Sequence, residues 1–167
     1  MSVSASPDAD SYKNGDYITL EKQGDGQELA AGCAVYYTTD GSDPRSSDTA
    51  EEYSAPFRAP LGTVVKAAVR KGHFAGSLYT FHYDEDHDTQ PGTVQSAEAI
   101  PQITVPLFTE AKDLGLPSAI IVKLVDGREK FVAVDWDTSA YRSDTANTVA
   151  LYGVLSLPSY ISNPSQV

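Results

Sequence analysis

Cysteine is almost absent from this sequence, which holds one, Cys33, in 167 residues. A single cysteine excludes a disulfide within the chain and any cluster of cysteine ligands around a metal. Cys33 lies in the apolar stretch 30–35. We therefore expect it to be a small buried side chain rather than a reactive thiol.

Basic residues are also scarce, with 12 lysines and arginines against 23 acidic residues and a net charge of −11. No basic patch is available to neutralise phosphate groups. Nucleic acids and anionic membrane surfaces are therefore not expected as partners. We interpret the negative charge as a source of solubility.

Long apolar runs are missing as well. No segment approaches the ~18 apolar residues that cross a bilayer, so membrane insertion is not expected. The first ten residues, MSVSASPDAD, have neither the basic start nor the apolar core of a signal peptide. For an exported parent protein, the signal and the anchor are expected to lie outside this sequence.

The residues that are plentiful favour β-strands, among them ten tyrosines. Residues 63–70 alternate between two faces, as do residues 79–83. A helical turn is predicted only near residues 109–114. The side chains predicted to face the core of this first half are Val65, Ala67, Val69, Tyr79 and Phe81.

The second half of the sequence contains a clear hairpin signal. Asp126-Gly127 separates two apolar runs, 120–125 and 131–136, and Asp-Gly in this position is typical of a tight β-turn. Further strands are predicted at residues 103–105 and 149–157. The side chains predicted to face the core here are Ile121, Val132, Val134 and Trp136.

Residues 85–100 break the strand pattern. They contain four acidic and no basic residues, with Pro91-Gly92 in the middle, and we interpret them as a linker. The predicted domains are 1–84 and 101–167. The predicted fold class is all-β, with two tandem Ig-like or fibronectin-like β-sandwiches joined by a short acidic linker.

The first half carries the motif YYTTDGSDP at residues 36–44, followed by EEYSAPF at 51–57 and TVVKAAVRKGHFAGSLYTFHY at 63–83. With these motifs, residues 3–84 resemble the C-terminal-type domain of chitobiases and β-hexosaminidases. The resemblance implies an Ig-like or fibronectin-like sandwich.

The second half reads VKLVDGREKFVAVDW at residues 122–136, NTVALYGVLSLP at 147–158 and SNP at 162–164. With these stretches, residues 101–166 resemble a bacterial Ig-like domain. That family usually continues past its NP into one more strand, whereas this sequence stops at Val167.

Both resemblances imply a non-catalytic accessory module of a larger secreted or cell-surface bacterial protein, often beside a glycoside hydrolase. We therefore expect a spacer rather than an enzyme, with no cofactor. Its expected partners are the neighbouring domains of the same polypeptide and, as a further option, a polysaccharide. We expect the chain to be a monomer.

The residues themselves predict no catalytic or metal site. Asp40 precedes glycine and Asp43 precedes proline, so turn formation explains both. The acidic run 84–88 could suggest calcium, but it lacks the spaced ligands of a calcium loop, and we interpret it as solvated. The histidines, His73, His82 and His87, have no metal-binding spacing.

Carbohydrate binding is the main alternative function, because exposed aromatic rings can stack on sugars. The candidate stacking residues are Tyr36, Tyr37 and Tyr53, and alternation places Tyr36 and Tyr37 on opposite faces of a sheet. Such a module would assist a tethered hydrolase by raising the local substrate concentration. A further alternative is a protein-binding adhesin module that uses an open sheet edge.

Overall fold

The computed structural model describes residues 1–24, 32–72 and 74–166, so His73 lies outside the described residues. Within these ranges the chain forms twelve β-strands and one 3₁₀ turn, Ala111–Asp113, which lies in the segment where a helical turn is predicted. The all-β prediction is confirmed, and the several sheets fit Ig-like β-sandwiches. Across the same ranges no helix has the length and apolarity needed to cross a membrane.

The chain divides into two compact units, Met1–Thr89 and Gln90–Val167. The strands of the first unit are β1 Ser2–Ser6, β2 Thr19–Gln23, β3 Ala34–Thr38, β4 Glu51–Glu52, β5 Thr63–Lys71, β6 Phe74–Ala75 and β7 Tyr79–Tyr83. Strands β1 and β2 form an antiparallel pair. The other five form one sheet in the order β4-β3-β5-β6, with β7 also paired to β5.

The central strand β5 supplies much of the first core. Val65, Ala67 and Val69 are buried, which confirms the predicted inward face. Tyr79 and Phe81 of β7 are only half-buried, although both pack against this core. They lie opposite Ala67 and Val65 in the antiparallel register, so one face of the β5–β7 pair is apolar along its length.

The strands of the second unit are β8 Gly92–Ala97, β9 Ala119–Leu124, β10 Glu129–Asp137, β11 Tyr152–Leu155 and β12 Ile161–Ser162. They form one sheet in the order β11-β10-β9-β8-β12, in which only the short β12–β8 pair is parallel. Its buried core consists of Val94, Val122, Leu124, Val132 and Ile161.

The predicted hairpin joins β9 and β10. Gly127 has a φ of 88°, and its N–H donates to the carbonyl of Leu124 at 2.9 Å. The N–H of Leu124 in turn donates to the carbonyl of Arg128 at 2.8 Å. This closed three-residue loop needs glycine where the backbone is left-handed, which explains the Asp-Gly signal.

The predicted inward face of β9 is wrong. Ile120, Val122 and Leu124 are buried, whereas Ile121 is half-exposed. In the run AIIVKL both sets of alternate residues begin with apolar side chains, so alternation alone does not tell which set faces the core. The register of the hairpin decides which face is inward. On β10 Val132 is buried as predicted, while Val134 and Trp136 are half-buried beside the edge strand β11.

Residues 103–105 do not form the predicted strand. Pro101 and Pro106 flank them, and a proline has no N–H to donate to a neighbouring strand. The strand predicted within residues 149–157 is present as β11.

The segment 85–100 contains ordered structure in place of a simple linker. Asp86 is 8% exposed, and its carboxylate accepts hydrogen bonds from the N–H groups of Asn14 and Asp88 at 3.0 Å and 2.9 Å. Asp86 is therefore part of the first unit. The prediction that it is solvated is wrong. Strand β8, later in the segment, pairs with β9 of the second unit.

Candidate functional site

The candidate stacking residues lie on and beside β3, which runs between β4 and β5 in the first sheet. Tyr36 lies opposite Glu52 of β4, and Tyr37 lies opposite Glu51. Because successive side chains of a strand point to opposite faces, Tyr36 and Tyr37 are presented on different sides of the sheet.

Tyr37 belongs to an aromatic cluster, which consists of Tyr37, Tyr53 and Phe57. The rings of Tyr37 and Phe57 are stacked, with centroids 4.4 Å apart and planes at 18°. Tyr53 meets both rings edge-on, at 6.3 Å and 6.5 Å. All three rings are half-buried and pack against the first core, so much of their surface is in contact with the core and is not available to a ligand.

The hydroxyl group of Tyr37 donates to Oε2 of Glu51 at 3.1 Å. Burial of the ring, together with the negative charge of Glu51, raises the pKa of Tyr37 to about 12. The phenol therefore stays protonated at neutral pH and acts as a hydrogen-bond donor.

Tyr36 has a different environment on the opposite face. The guanidinium carbon of Arg70 lies 4.3 Å from the ring centroid, in a cation–π contact that covers one side of the ring. The hydroxyl group donates to Oε2 of Glu52 at 3.1 Å. Tyr36 is half-buried, and stacking on a sugar would use the side of the ring that Arg70 leaves open.

The structure thus brings together Tyr37 and Tyr53 but not Tyr36. Sequence reasoning missed Phe57, Arg70 and the two glutamates that accept from the tyrosine hydroxyls. The pattern YY at 36–37 and EE at 51–52 held a signal for the glutamates, since antiparallel pairing of these two segments sets each tyrosine against one of them.

A small cavity adjoins the aromatic cluster. It has a volume of about 170 Å³, below the ~300–1,000 Å³ of most small-molecule sites. It has room for a small chemical group rather than a whole ligand. Its lining residues are Tyr37, Thr38, Thr39, Thr49, Glu51, Phe57 and Arg58.

The aspartates of the turn after β3 are held in their ionised form. Asp40 accepts from the hydroxyls of Ser42 at 2.5 Å and Thr49 at 2.6 Å, and these bonds lower its pKa to about 2. Hydrogen bonds from Arg45 likewise lower the pKa of Asp43 to about 2. A general acid at neutral pH needs a raised pKa, so neither carboxyl suits that role.

Across the described ranges no three side chains of histidine, cysteine, aspartate or glutamate come together in a way that could hold a metal ion. The acidic run 84–88 lies within these ranges and forms no such group. One of its members, Asp86, already accepts from two backbone N–H groups.

The sheets define an all-β protein whose architecture fits Ig-like β-sandwiches. Within it, residues 7–81 match the model of one family, described as the chitobiase/beta-hexosaminidase C-terminal domain. This match confirms the resemblance drawn for the first half of the sequence. No curated protein and no solved structure matches the chain.

Proposed function

We propose that this chain is a non-catalytic accessory segment of a larger exported bacterial protein and that it holds a neighbouring domain at a distance. The observation that supports this most is the match of residues 7–81 to a domain described as the C-terminal domain of chitobiase/beta-hexosaminidase. An accessory position beside a carbohydrate-active domain follows from that description. The spacer role, the secreted or cell-surface location and the bacterial Ig-like identity of the second unit belong to the same proposal.

The chemistry of turn aspartates in both units supports the non-catalytic part of the proposal. A glycosidase needs two carboxyl groups about 5–9.5 Å apart across a cleft, one of them protonated at neutral pH. Hydrogen bonds lower the pKa values of Asp40, Asp43, Asp126 and Asp137. Each carries out a local structural task in a turn or at a strand end.

Hydrolysis and binding are measured on the whole chain. We expect no release of nitrophenol from a panel of nitrophenyl glycosides, including the N-acetylglucosaminide. We also expect no retention on insoluble chitin, cellulose or peptidoglycan above the level of serum albumin. Turnover that persists through a second purification would contradict the proposal, as would saturable retention on one polysaccharide.

Weak carbohydrate binding is the second candidate function, and the half-buried ring of Tyr36 favours it. Because Arg70 covers one side of that ring, binding would use the other side. Chemical-shift mapping with chitin and cellulose oligosaccharides tests this directly. Shifts that centre on Tyr36 and vanish in Tyr36→Ala, but persist in the exposed control Tyr17→Ala, would replace the spacer proposal with a binding module.

A further inference from the structure

The second unit contains a cleft with a volume of about 640 Å³, within the ~300–1,000 Å³ typical of ligand sites. Two segments, 100–107 and 141–151, contribute most of its lining. Trp136, the only tryptophan of the chain, also lines it. Neither the proposed accessory role nor the tyrosines of the first unit account for this cleft.

Hydrogen bonds tie the two lining segments together. The N–H of Phe108 donates to the carbonyl of Ser143 at 2.7 Å, and the hydroxyl of Tyr141 donates to the carbonyl of Thr109 at 3.0 Å. Phe108 has a φ of 67°, a conformation that costs a non-glycine residue roughly 1–2 kcal/mol. The backbone is strained where the two segments join, and such outliers cluster at ligand sites.

Trp136 is held in place at the cleft. Its indole N–H donates to the carbonyl of Pro117 at 2.8 Å. Its six-membered ring lies over Gly153, where an added Cβ would come within 3.1–3.2 Å of the ring carbons. An aromatic ring that is already fixed loses little conformational entropy when a ligand packs against it.

The charges at the cleft restrict the ligand. Among the described residues that line it there is no aspartate or glutamate, although the chain carries a net charge of −11, and Arg142 is the one charged side chain. The Arg142 guanidinium donates from Nη1 to the carbonyls of Ser139 and Tyr141, both at 2.8 Å. The other lining residues are apolar or neutral, so the cleft favours an apolar body with a single negative charge.

We propose that this cleft binds a small amphipathic molecule whose apolar body packs against Trp136 and whose acidic group pairs with Arg142. The inference goes beyond the accessory function and is independent of it. Binding needs no covalent step and no metal.

Two matched dyes test the ligand class. Anilinonaphthalene sulfonate carries an apolar body and one negative charge, and N-phenylnaphthylamine is its uncharged counterpart. We expect both to bind saturably at one site of the whole chain and to quench the emission of Trp136 as their own emission rises. Absence of saturable binding, or dye emission that rises without quenching of Trp136, would overturn the proposal.

Matched variants test the location. Ala146 is exposed and lines the cleft, whereas Ala140 is exposed and lies outside the lining. Ala146→Phe should fill the cleft and weaken both dyes by about tenfold or more, while Ala140→Phe should leave both unchanged. Thermal melting of each variant shows that its fold is retained. Equal affinities in the two variants would contradict the assignment of the site.

Arg142→Gln tests the charge. It should weaken the sulfonate dye by up to about fivefold, the range of an exposed ion pair, and leave the uncharged dye unchanged. Arg45→Gln, the same substitution in the first unit, should alter neither. An unchanged affinity of Arg142→Gln for the sulfonate dye would overturn the acidic part of the proposed ligand.

Discussion

Three tyrosines of the first unit combine a packed ring with a hydroxyl group that donates a hydrogen bond. Tyr12 and Tyr83 are fully buried and meet edge-on with centroids 4.7 Å apart. Their hydroxyls donate to the carbonyls of Ala59 at 2.5 Å and Pro7 at 3.1 Å. Tyr37 donates to Glu51, as described above. Burial is the main cause that raises the pKa of each phenol to about 12.

These raised pKa values predict loss of stability at alkaline pH. A free tyrosine has a pKa of about 10, so the unfolded chain loses these protons first as the pH rises. The tyrosine contribution to the free energy of unfolding should therefore be intact below about pH 10 and decline toward the folded pKa of about 12. Urea unfolding followed at several pH values measures the slope.

Tyr37→Phe provides the comparison for that slope. It removes one of the three raised phenols, so unfolding should depend less steeply on pH above about 10, with the part due to Tyr12 and Tyr83 retained. An unchanged slope would mean that Tyr37 ionises equally easily in the folded and unfolded chain. That result would contradict its burial beside Glu51.

At the scale of elements, glycine decides how β11 can pair with β10. Gly153 lies opposite Trp136 in the antiparallel register. A Cβ at this position would collide with the side chain of Val134 and crowd the Trp136 ring. Cross-strand contact between an aromatic ring and a glycine backbone lets the edge strand lie close to β10.

Gly153→Ala should therefore destabilise the second unit by about 1–3 kcal/mol, the usual cost of inserting a methyl group into filled space. Gly76→Ala is the matched control, because the nearest atom to its added Cβ is the carbonyl oxygen of Val69 at an ordinary 3.4 Å. We expect the control to change stability by less than about 0.5 kcal/mol. Urea unfolding checks both, and equal effects would argue against close packing at Gly153.

The β9–β10 turn depends on a different property of glycine. Gly127→Ala places a side chain on a backbone with a φ of 88°, which should cost about 1–2 kcal/mol. Val125→Ala changes an exposed residue of the same turn and should have an effect below about 0.5 kcal/mol. If Gly127→Ala melts at the temperature of the parent chain, the turn must have another conformation.

At the scale of the whole molecule, the boundary of the first unit can be tested with fragments. Fragment 1–84 ends before Asp86, so the N–H of Asn14 loses the carboxylate that accepts from it. Fragment 1–89 retains this bond and should be more stable by about 1.5–3 kcal/mol, the range of a hydrogen bond to a charged group. Denaturant unfolding of the two fragments gives the difference. Asp86→Ala in fragment 1–89 should remove most of this difference, because the hydrogen bond from the N–H of His87 to the carbonyl of Tyr12 remains. Equal stabilities of fragments 1–84 and 1–89 would contradict the structural role of Asp86.

The second unit offers the corresponding test. Fragment 101–167 lacks β8, and with it the buried Val94 and one of the two strands that pair with β9. We expect fragment 90–167 to give a dispersed amide NMR spectrum and fragment 101–167 to give a collapsed one. A dispersed spectrum from the shorter fragment would show that β8 is dispensable.

The sequence by itself determined the β class and the β9–β10 turn. These features depend on local chemistry: alternation of apolar residues, β-forming side chains, and glycine where the backbone is left-handed. The motifs of residues 36–83 were likewise sufficient to find the family that residues 7–81 match.

Only the tertiary structure decided which face of β9 is inward, which tyrosines share a surface, and what Asp86 and Trp136 contact. Ile121 and Ile120 are equally apolar, and register alone separates them. Tyr37 meets Phe57, twenty positions away, while its neighbour Tyr36 meets Arg70. The sequence around Asp86 predicts a solvated charge, whereas in the folded chain its carboxylate accepts a hydrogen bond from the N–H of Asn14. Contacts between residues distant along the chain are set by packing, and local patterns carry little information about them.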